Sequence, residues 1–279
     1  MNFKQSEQQF IEEVSSLYEQ QEAKELFYLV TLQLSGWGRA QLMVNQDVIL
    51  SEEQQTAYQK VFNELKTGKP IQHIFSEAWF YGLKFKVNGA VLIPRPETEE
   101  LVEWILTDLS IPSQKILDIG TGSGCIAISL KKNKPTAEVS ALDVSEEALA
   151  VAKTNASQNQ TNINFIQSDI LSYTTEEKYD LIVSNPPYIT ENEKREMHQN
   201  VLAYEPHLAL FVSNENPLIF YAAIADFACK QLQDNGLLYF EINEYLGKET
   251  VDMLSAKGFI NIVLKKDMQG KDRMIQASL

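Results

Sequence analysis

The chain has 279 residues, with Lys+Arg 24 against Asp+Glu 38, a formal net charge of −14 and 44% hydrophobic residues. That balance excludes predominant disorder and a general nucleic-acid coat, because releasing counterions from phosphates needs a net basic face, and it allows one large domain or two unequal ones. No apolar run reaches the roughly 18 residues of a membrane-spanning helix, and Met1-Asn2-Phe3-Lys4-Gln5 lacks a signal peptide's apolar stretch, so the chain reads as cytoplasmic with no membrane partner.

Phe10, Val14 and Leu17 share one helical face, and Leu26, Leu29, Val30 and Leu34 another, with Gly36 and Gly38 as breaks. Ser51-Glu52-Glu53-Gln54 has the capping-box pattern and opens a helix carrying Ala57, Tyr58, Val61, Phe62 and Leu65, which Thr67-Gly68-Lys69-Pro70 stops. Residues 1–74 therefore read as a small helical domain without a catalytic pattern, suited to holding a partner or covering a site. From Trp79 the period changes to two. Asn88-Gly89, between the runs 82–87 and 90–93, marks a β-hairpin turn, and residues 75–94 read as a connector.

From Lys115 onward apolar strands alternate with helices. Strands are expected at 115–119, 138–142, 163–166, 179–183, 236–242, 259–264 and 273–277, and helices at 125–130, 148–156, 218–232 and 246–256. The alternation predicts an α/β fold, a mostly parallel, doubly wound sheet, over 95–279. Cys125 and Cys229 fall in apolar helical patterns, as small buried hydrophobes. His73, His198 and His207 lack ligand spacing with one another or with the cysteines, so no metal site is expected.

Asp118-Ile119-Gly120-Thr121-Gly122-Ser123-Gly124 stands where the first strand hands over to its helix. Glycines there permit a tight turn and close backbone approach to a ligand at the carboxyl edge of the sheet. The dinucleotide fingerprint would need its third glycine where Cys125 stands, which counts against a nicotinamide cofactor. Asp143 ends the second strand, where a carboxylate can accept both ribose hydroxyls of an adenine nucleoside, and Asp169 ends the third. Either acid alone would read as a turn or cap residue. Three such elements at successive strand ends argue for a nucleoside site.

Ser184-Asn185-Pro186-Pro187-Tyr188 follows the fourth strand on the same rim. Two prolines remove two backbone donors and stiffen the chain, so the Asn185 side chain and the Pro186 carbonyl can serve as fixed acceptors for a planar NH2 group, with the Tyr188 ring beside it. An amide nitrogen is a poor nucleophile because its lone pair is delocalised. Two acceptors gripping its hydrogens orient it and stabilise the charge that develops on attack, and the sulfonium of S-adenosylmethionine is a suitable electrophile that needs no metal.

At these residues the chain resembles the release factor glutamine methyltransferases, the protein-(glutamine-N5) methyltransferases of the HemK/PrmC family. The resemblance runs through the helical N-terminus, Leu92-Ile93-Pro94-Arg95-Pro96-Glu97-Thr98-Glu99, Gly120 to Gly124, Asn185 to Tyr188, Tyr204-Glu205-Pro206-His207-Leu208-Ala209-Leu210, Glu241-Ile242 and Asp267 to Arg273. It implies a seven-stranded Rossmann-like methyltransferase sheet. It also implies S-adenosylmethionine as cofactor and class 1 peptide chain release factors as partners, methylated at the glutamine of their Gly-Gly-Gln motif. By the same resemblance Gly120, Thr121, Gly122, Ser123, Gly124 and Asp143 hold the methionine and ribose side, and Asp169 and Ile170 border the adenine. Asn185 and Pro186 are the catalytic pair on the substrate amide, with Pro187 and Tyr188 alongside and Asn185 also bordering the cofactor. Many relatives carry an aromatic residue where this chain has Ile170, which bears on adenine stacking and not on the reaction. Arg95 and Glu97 read equally as ligand contacts or as an ion pair with a helix cap, and Glu241 as a cofactor-side acid or a strand-end acid. The rival functions are an amino methyltransferase acting on nucleic-acid bases, disfavoured by the net charge, and a non-catalytic S-adenosylmethionine-binding adaptor.

Overall fold

The computed structural model describes residues 1–108, 114–197 and 199–279, so His198 lies outside the described residues. The chain forms two compact units, one holding Met1–Ser76 and a later short helix, the other beginning at Glu77.

The first unit is built from α1 (Phe3–Val14), α2 (Gln20–Ser35), α3 (Arg39–Val44), α4 (Glu52–Leu65) and α5 (Ile71–Phe75). Its starts follow local chemistry. Asn2 caps α1 in a reciprocal box with Gln5, and Ser51 does the same for α4 with Gln54, each satisfying helix-end N–H groups that have no intrahelical acceptor. Gly36 closes α2 at φ 69, a left-handed value that costs glycine little. Phe10 stacks on Phe62 at 4.3 Å between ring centroids, and Phe27 and Tyr58 complete the aromatic centre. This centre sets which face of each helix is buried. On α2 the buried side is Ala23, Phe27, Val30 and Thr31, whereas the expected Leu29 and Leu34 are exposed. Leu17 lies beyond the end of α1 and is exposed as well.

The second unit opens with a two-stranded hairpin, β1 (Glu77–Phe80) and β2 (Leu83–Lys86), in which Phe80 pairs with Leu83. Its turn is Tyr81-Gly82, both at positive φ (49 and 71), and not Asn88-Gly89. Tyr81 is held there by Glu99, which accepts its backbone N–H at 2.8 Å, and by a hydroxyl contact to Glu103. Asn88 instead forms a short side-chain turn, accepting the N–H of Ala90 at 2.9 Å, and no strand follows it.

The chain continues through α6 (Pro96–Asp108), β3 (Lys115–Ile119), α7 (Cys125–Asn133), β4 (Glu138–Asp143), α8 (Glu146–Gln158), β5 (Asn164–Gln167) and β6 (Tyr179–Ser184). Then come β7 (Ile189–Thr190), α9 (Gln199–Tyr204), which clusters with the first unit, and β8 (Phe211–Val212). The chain closes with α10 (Ile219–Gln231), β9 (Leu232–Glu241), α11 (Gly247–Ala256), β10 (Ile260–Lys266) and β11 (Asp272–Ser278). Seven strands form one sheet in the order β10-β11-β9-β6-β3-β4-β5, parallel except for β11, which is antiparallel to both β9 and β10.

Alternation along the strands feeds two cores. Ile116, Leu181, Val183 and Tyr239 face the side covered by α6 and α7, while Leu117, Ile182, Leu238 and Phe240 face α10 and α11. Both faces are covered, which is why these strands read as continuous apolar runs. Cys229, expected inside, is exposed on α10, and Cys125 is partly buried. Among the described residues no helix is long and apolar enough to cross a membrane.

Candidate active site

β3 is flanked by β4 on one side and β6 on the other, so the strand order reverses at its carboxyl end. Open α/β sheets bind ligands at such switch points, because the loops leaving the two neighbouring strands diverge and leave a crevice. A cavity of about 320 Å³ lies there, within the range of small-molecule sites. The buried Ser184 hydroxyl donates to the Ile119 carbonyl at 2.7 Å, tying the end of β6 to the end of β3.

The glycine loop forms one wall, through Gly120, Thr121, Gly122 and Ser123. Gly120 and Gly122 have φ 73 and 54, and a Cβ added at either would meet nothing within 4 Å, so the backbone is bare toward a ligand. Gly124, expected with them, is not in the wall. It caps α7, and a Cβ there would stand 2.9 Å from Ile128 Cδ1 and 3.2 Å from Ala152 Cβ, so this glycine lets α7 pack against α8.

The loop is organised by two buried acids. Asp118 Oδ2 accepts the Thr121 hydroxyl at 2.6 Å and the Ala127 N–H at 3.2 Å, while Oδ1 has no hydrogen-bond partner among the described residues. Burial pushes its carboxyl up to about 7 against these hydrogen bonds. Asp143 lies in the cavity wall and accepts the N–H of Gly122 at 2.8 Å and of Ser145 at 2.9 Å. Burial raises its carboxyl above the ordinary value, and the backbone N–H groups of Ser145, Gly122 and Val144 oppose that rise. The two oxygens together offer about four acceptor sites, so these backbone bonds leave capacity for a ligand hydroxyl. Asp169 and Ile170 line the same cavity beyond β5, and Asp169 Oδ1 accepts the N–H of Leu171 at 2.9 Å in a local turn.

Asn185, Pro186 and Pro187 form the facing wall. Asn185 Nδ2 is 3.4 Å from Thr98 Oγ1, and the Thr98 hydroxyl donates to Glu241 Oε2 at 2.6 Å. Tyr188 is outside the wall. Its ring packs in the core beside α10 and α11, and its hydroxyl donates to Glu241 Oε1 at 3.2 Å, because a buried phenol needs an acceptor. Burial, then the charge of Glu241, raises the phenol well above its ordinary range and keeps it a neutral donor.

Further residues close the space. Arg95 lines the cavity and pairs with the buried Glu205 at 2.6 Å, and Glu205 also accepts the Ile93 N–H at 3.2 Å. Glu97 pairs elsewhere, accepting from Gln269 Nε2 at 3.1 Å, so of the two readings open for Arg95 and Glu97 their mutual ion pair is not formed, and the partner of Arg95 is a residue far along the chain. Cys125 is in the wall, but burial pushes its thiol up to about 12, which makes it a poor nucleophile. Thr98, Glu205, Leu208 and Val144 are cavity or support residues that spacing alone does not single out, although the first three fall within the segments that carry the resemblance. Among the described residues no group of His, Cys, Asp or Glu is arranged to hold a metal ion.

The wall suits S-adenosylmethionine: bare glycine backbone beside a carboxylate, apolar Val144 and Ile170 farther along, and a volume of the right order. The Methyltransferase small domain family matches residues 97–208, and the PrmC N-terminal domain family matches residues 8–75. The structure is similar to a methyltransferase from Pyrococcus furiosus, with a TM-score of 0.54 at 18% identity, covering 71% of this chain and 90% of that one. A protein from Flavobacterium psychrophilum called release factor glutamine methyltransferase is 49% identical over 275 residues, 97% of this chain and 96% of its own. A protein of the same name from Bacteroides thetaiotaomicron is 43% identical, covering 95% and 96%. With such likeness over nearly the whole length, and a methyltransferase sheet around the cavity, the chain belongs to the release factor glutamine methyltransferases, enzymes that depend on S-adenosylmethionine.

Proposed function

We propose that this chain transfers a methyl group to the side-chain amide nitrogen of the glutamine in the Gly-Gly-Gln motif of class 1 peptide chain release factors. One observation carries the reading. Asn185, Pro186 and Pro187 share a single cavity with the glycine loop and Asp143, at the sheet's switch point. The names of the relatives, release factor glutamine methyltransferase, support the substrate class.

In this reading Gly120, Thr121, Gly122 and Ser123 cradle the methionine end of the cofactor, Asp143 accepts the ribose hydroxyls, and Asp169 and Ile170 border the adenine. Bound there, S-adenosylmethionine supplies a methyl group on a positively charged sulfur. The catalytic pair is Asn185 and Pro186. The Asn185 Oδ1 and the Pro186 carbonyl accept the two hydrogens of the substrate NH2, and the absent N–H groups of Pro186 and Pro187 leave no competing donor. Holding both hydrogens turns the nitrogen lone pair toward the methyl and stabilises the positive charge growing on nitrogen. The bound cofactor would keep the electron pair of its S–C bond on sulfur as it gave up the methyl, and the nitrogen held by Asn185 and Pro186 would release one proton to solvent. No strong base is needed before attack, and no metal enters the step.

The helical unit is assigned to binding the release factor. Its α3 buries no residue, and Met43, Val44 and Ile49 are 74%, 84% and 76% exposed, apolar side chains that a partner could cover. The test is incubation of labelled S-adenosylmethionine with a class 1 release factor, with DNA and with RNA. Label on the release factor alone supports the reading, and label on nucleic acid overturns it.

A further inference from the structure

A carboxamide can sit either way round in its site, because its oxygen and nitrogen are close in size, and only the hydrogen-bond partners decide between them. For Asn185 the decision is made behind the cavity. Thr98 has one hydroxyl proton, and it goes to Glu241 Oε2 at 2.6 Å. An ionised carboxylate has no proton to give back. Toward Asn185, at 3.4 Å, the Thr98 oxygen can therefore only accept, and only the NH2 end of the carboxamide offers it a hydrogen. Turned round, two oxygens would face each other with no proton between them.

We propose that Thr98 and Glu241 are positioning residues that set the polarity of the Asn185 carboxamide, committing its NH2 to the protein and its oxygen to the substrate's NH2. This deepens the function proposed above and rests on it. Both residues are 2% exposed, so water does not compete for the relay. Thr98 sits in the first turn of α6, with its N–H donated to the Arg95 carbonyl at 3.1 Å, and Glu241 is the last residue of β9, so the relay is mounted on regular elements. The second carboxylate oxygen, Oε1, is taken by the Tyr188 hydroxyl at 3.2 Å, which fixes the orientation of Glu241 as well. Burial raises the Glu241 carboxyl above its ordinary value, while the Thr98 hydroxyl, the Arg273 cation on β11 and the Tyr188 hydroxyl oppose that rise; with both oxygens accepting hydroxyl protons, Glu241 is placed as an ionised carboxylate is. Glu97 on α6 is the opposing carboxylate, and Tyr188, Tyr221 and Cys125 are the neutral titratable groups around it.

The geometry explains why a threonine is needed at a position lined by the cavity. A valine would fill the same volume and leave the carboxamide free to turn. A glutamine at 241 would donate to Thr98 Oγ1, release the hydroxyl proton toward Asn185 and favour the wrong end.

The experiment compares Thr98→Val, Thr98→Ser and Glu241→Gln with the wild type by steady-state kinetics on a release factor and by calorimetry with S-adenosylmethionine. It adds hydrogen exchange of the Asn185 side-chain NH2, its signal identified by loss in Asn185→Ala. Expected are a fall in kcat of about a hundredfold in Thr98→Val, the order seen when a reacting group is misplaced, a similar fall in Glu241→Gln, and recovery of most of it in Thr98→Ser. Cofactor affinity should stay near wild type in all three. The Asn185 NH2 should be protected in the wild type and in Thr98→Ser and unprotected in Thr98→Val. Wild-type kcat in Thr98→Val, or an Asn185 NH2 that exchanges in the wild-type protein as fast as an exposed one, would overturn the proposal. A wild-type protein that binds the cofactor yet methylates no release factor would remove the function proposed above, while the exchange pattern would still decide the polarity of Asn185.

Discussion

Asp118 makes the most direct link between a single side chain and the behaviour of the folded protein. Its carboxyl is pushed up to about 7 from an ordinary 3.8, chiefly by burial. Between those values the folded state holds the proton more tightly than the unfolded state does. The stability this group confers is therefore complete below about pH 4, falls as pH rises toward 7 with a limiting slope of about 1.4 kcal/mol per pH unit, and is level above. Asp118→Asn removes the titration, so its melting temperature should gain on the wild type as pH rises through that window. Parallel melting curves from pH 4 to pH 8 would count against the assignment. Asp143 carries a different prediction, because it both faces the cavity and holds the glycine loop through Gly122. Asp143→Ala should weaken S-adenosylmethionine binding by about 1.5–3 kcal/mol, the usual cost of losing hydrogen bonds to a charged group. Unchanged affinity in calorimetry would take Asp143 out of the cofactor site.

Helix and strand packing place demands on the glycine loop that are separate from ligand binding. Gly124 has φ 82 and no room for a Cβ between Ile128 and Ala152. Gly124→Ala should destabilise the fold by about 1–3 kcal/mol through backbone strain and overpacking of α7 on α8, visible as a lower denaturation midpoint in urea. A variant as stable as the wild type would contradict that reading. The elements most legible in the sequence are those whose burial is set by their own pattern. The sheet strands are continuous apolar runs because helices cover both faces, and α4 announces itself through Ser51 and Gln54. The hairpin turn was not legible in this way. Tyr81 takes a left-handed conformation because Glu99 and Glu103 on α6 hold it, and such a tertiary contact outweighs the local turn preference of Asn88-Gly89. The buried face of α2 is likewise chosen by Phe10 and Phe62 from other helices.

Across the whole molecule, the sequence placed the glycine loop, Asp143, Asp169 and Asn185 at strand ends, and the fold gathers them around one cavity, because loops at the carboxyl edge of a parallel sheet converge whatever their separation along the chain. What it did not show is which distant residues support them. Thr98 and Glu241 are 143 positions apart, and Arg95 and Glu205 are 110 apart, so no spacing rule could pair them. The role of the helical unit is also testable at this scale. Val44→Asp together with Ile49→Asp should raise KM for an intact release factor about tenfold, equivalent to about 1.4 kcal/mol, with kcat near wild type. An unchanged KM would move partner binding elsewhere. The central claim, that Asn185 and Pro186 grip the glutamine NH2 beside the methyl donor, is tested most directly by mass spectrometry of a class 1 release factor after incubation with S-adenosylmethionine and either wild-type or Asn185→Ala protein. The account predicts one added methyl group on the glutamine of Gly-Gly-Gln with the wild type, and none with Asn185→Ala although that variant still binds the cofactor. A methyl group on another residue, or full modification by Asn185→Ala, would contradict it.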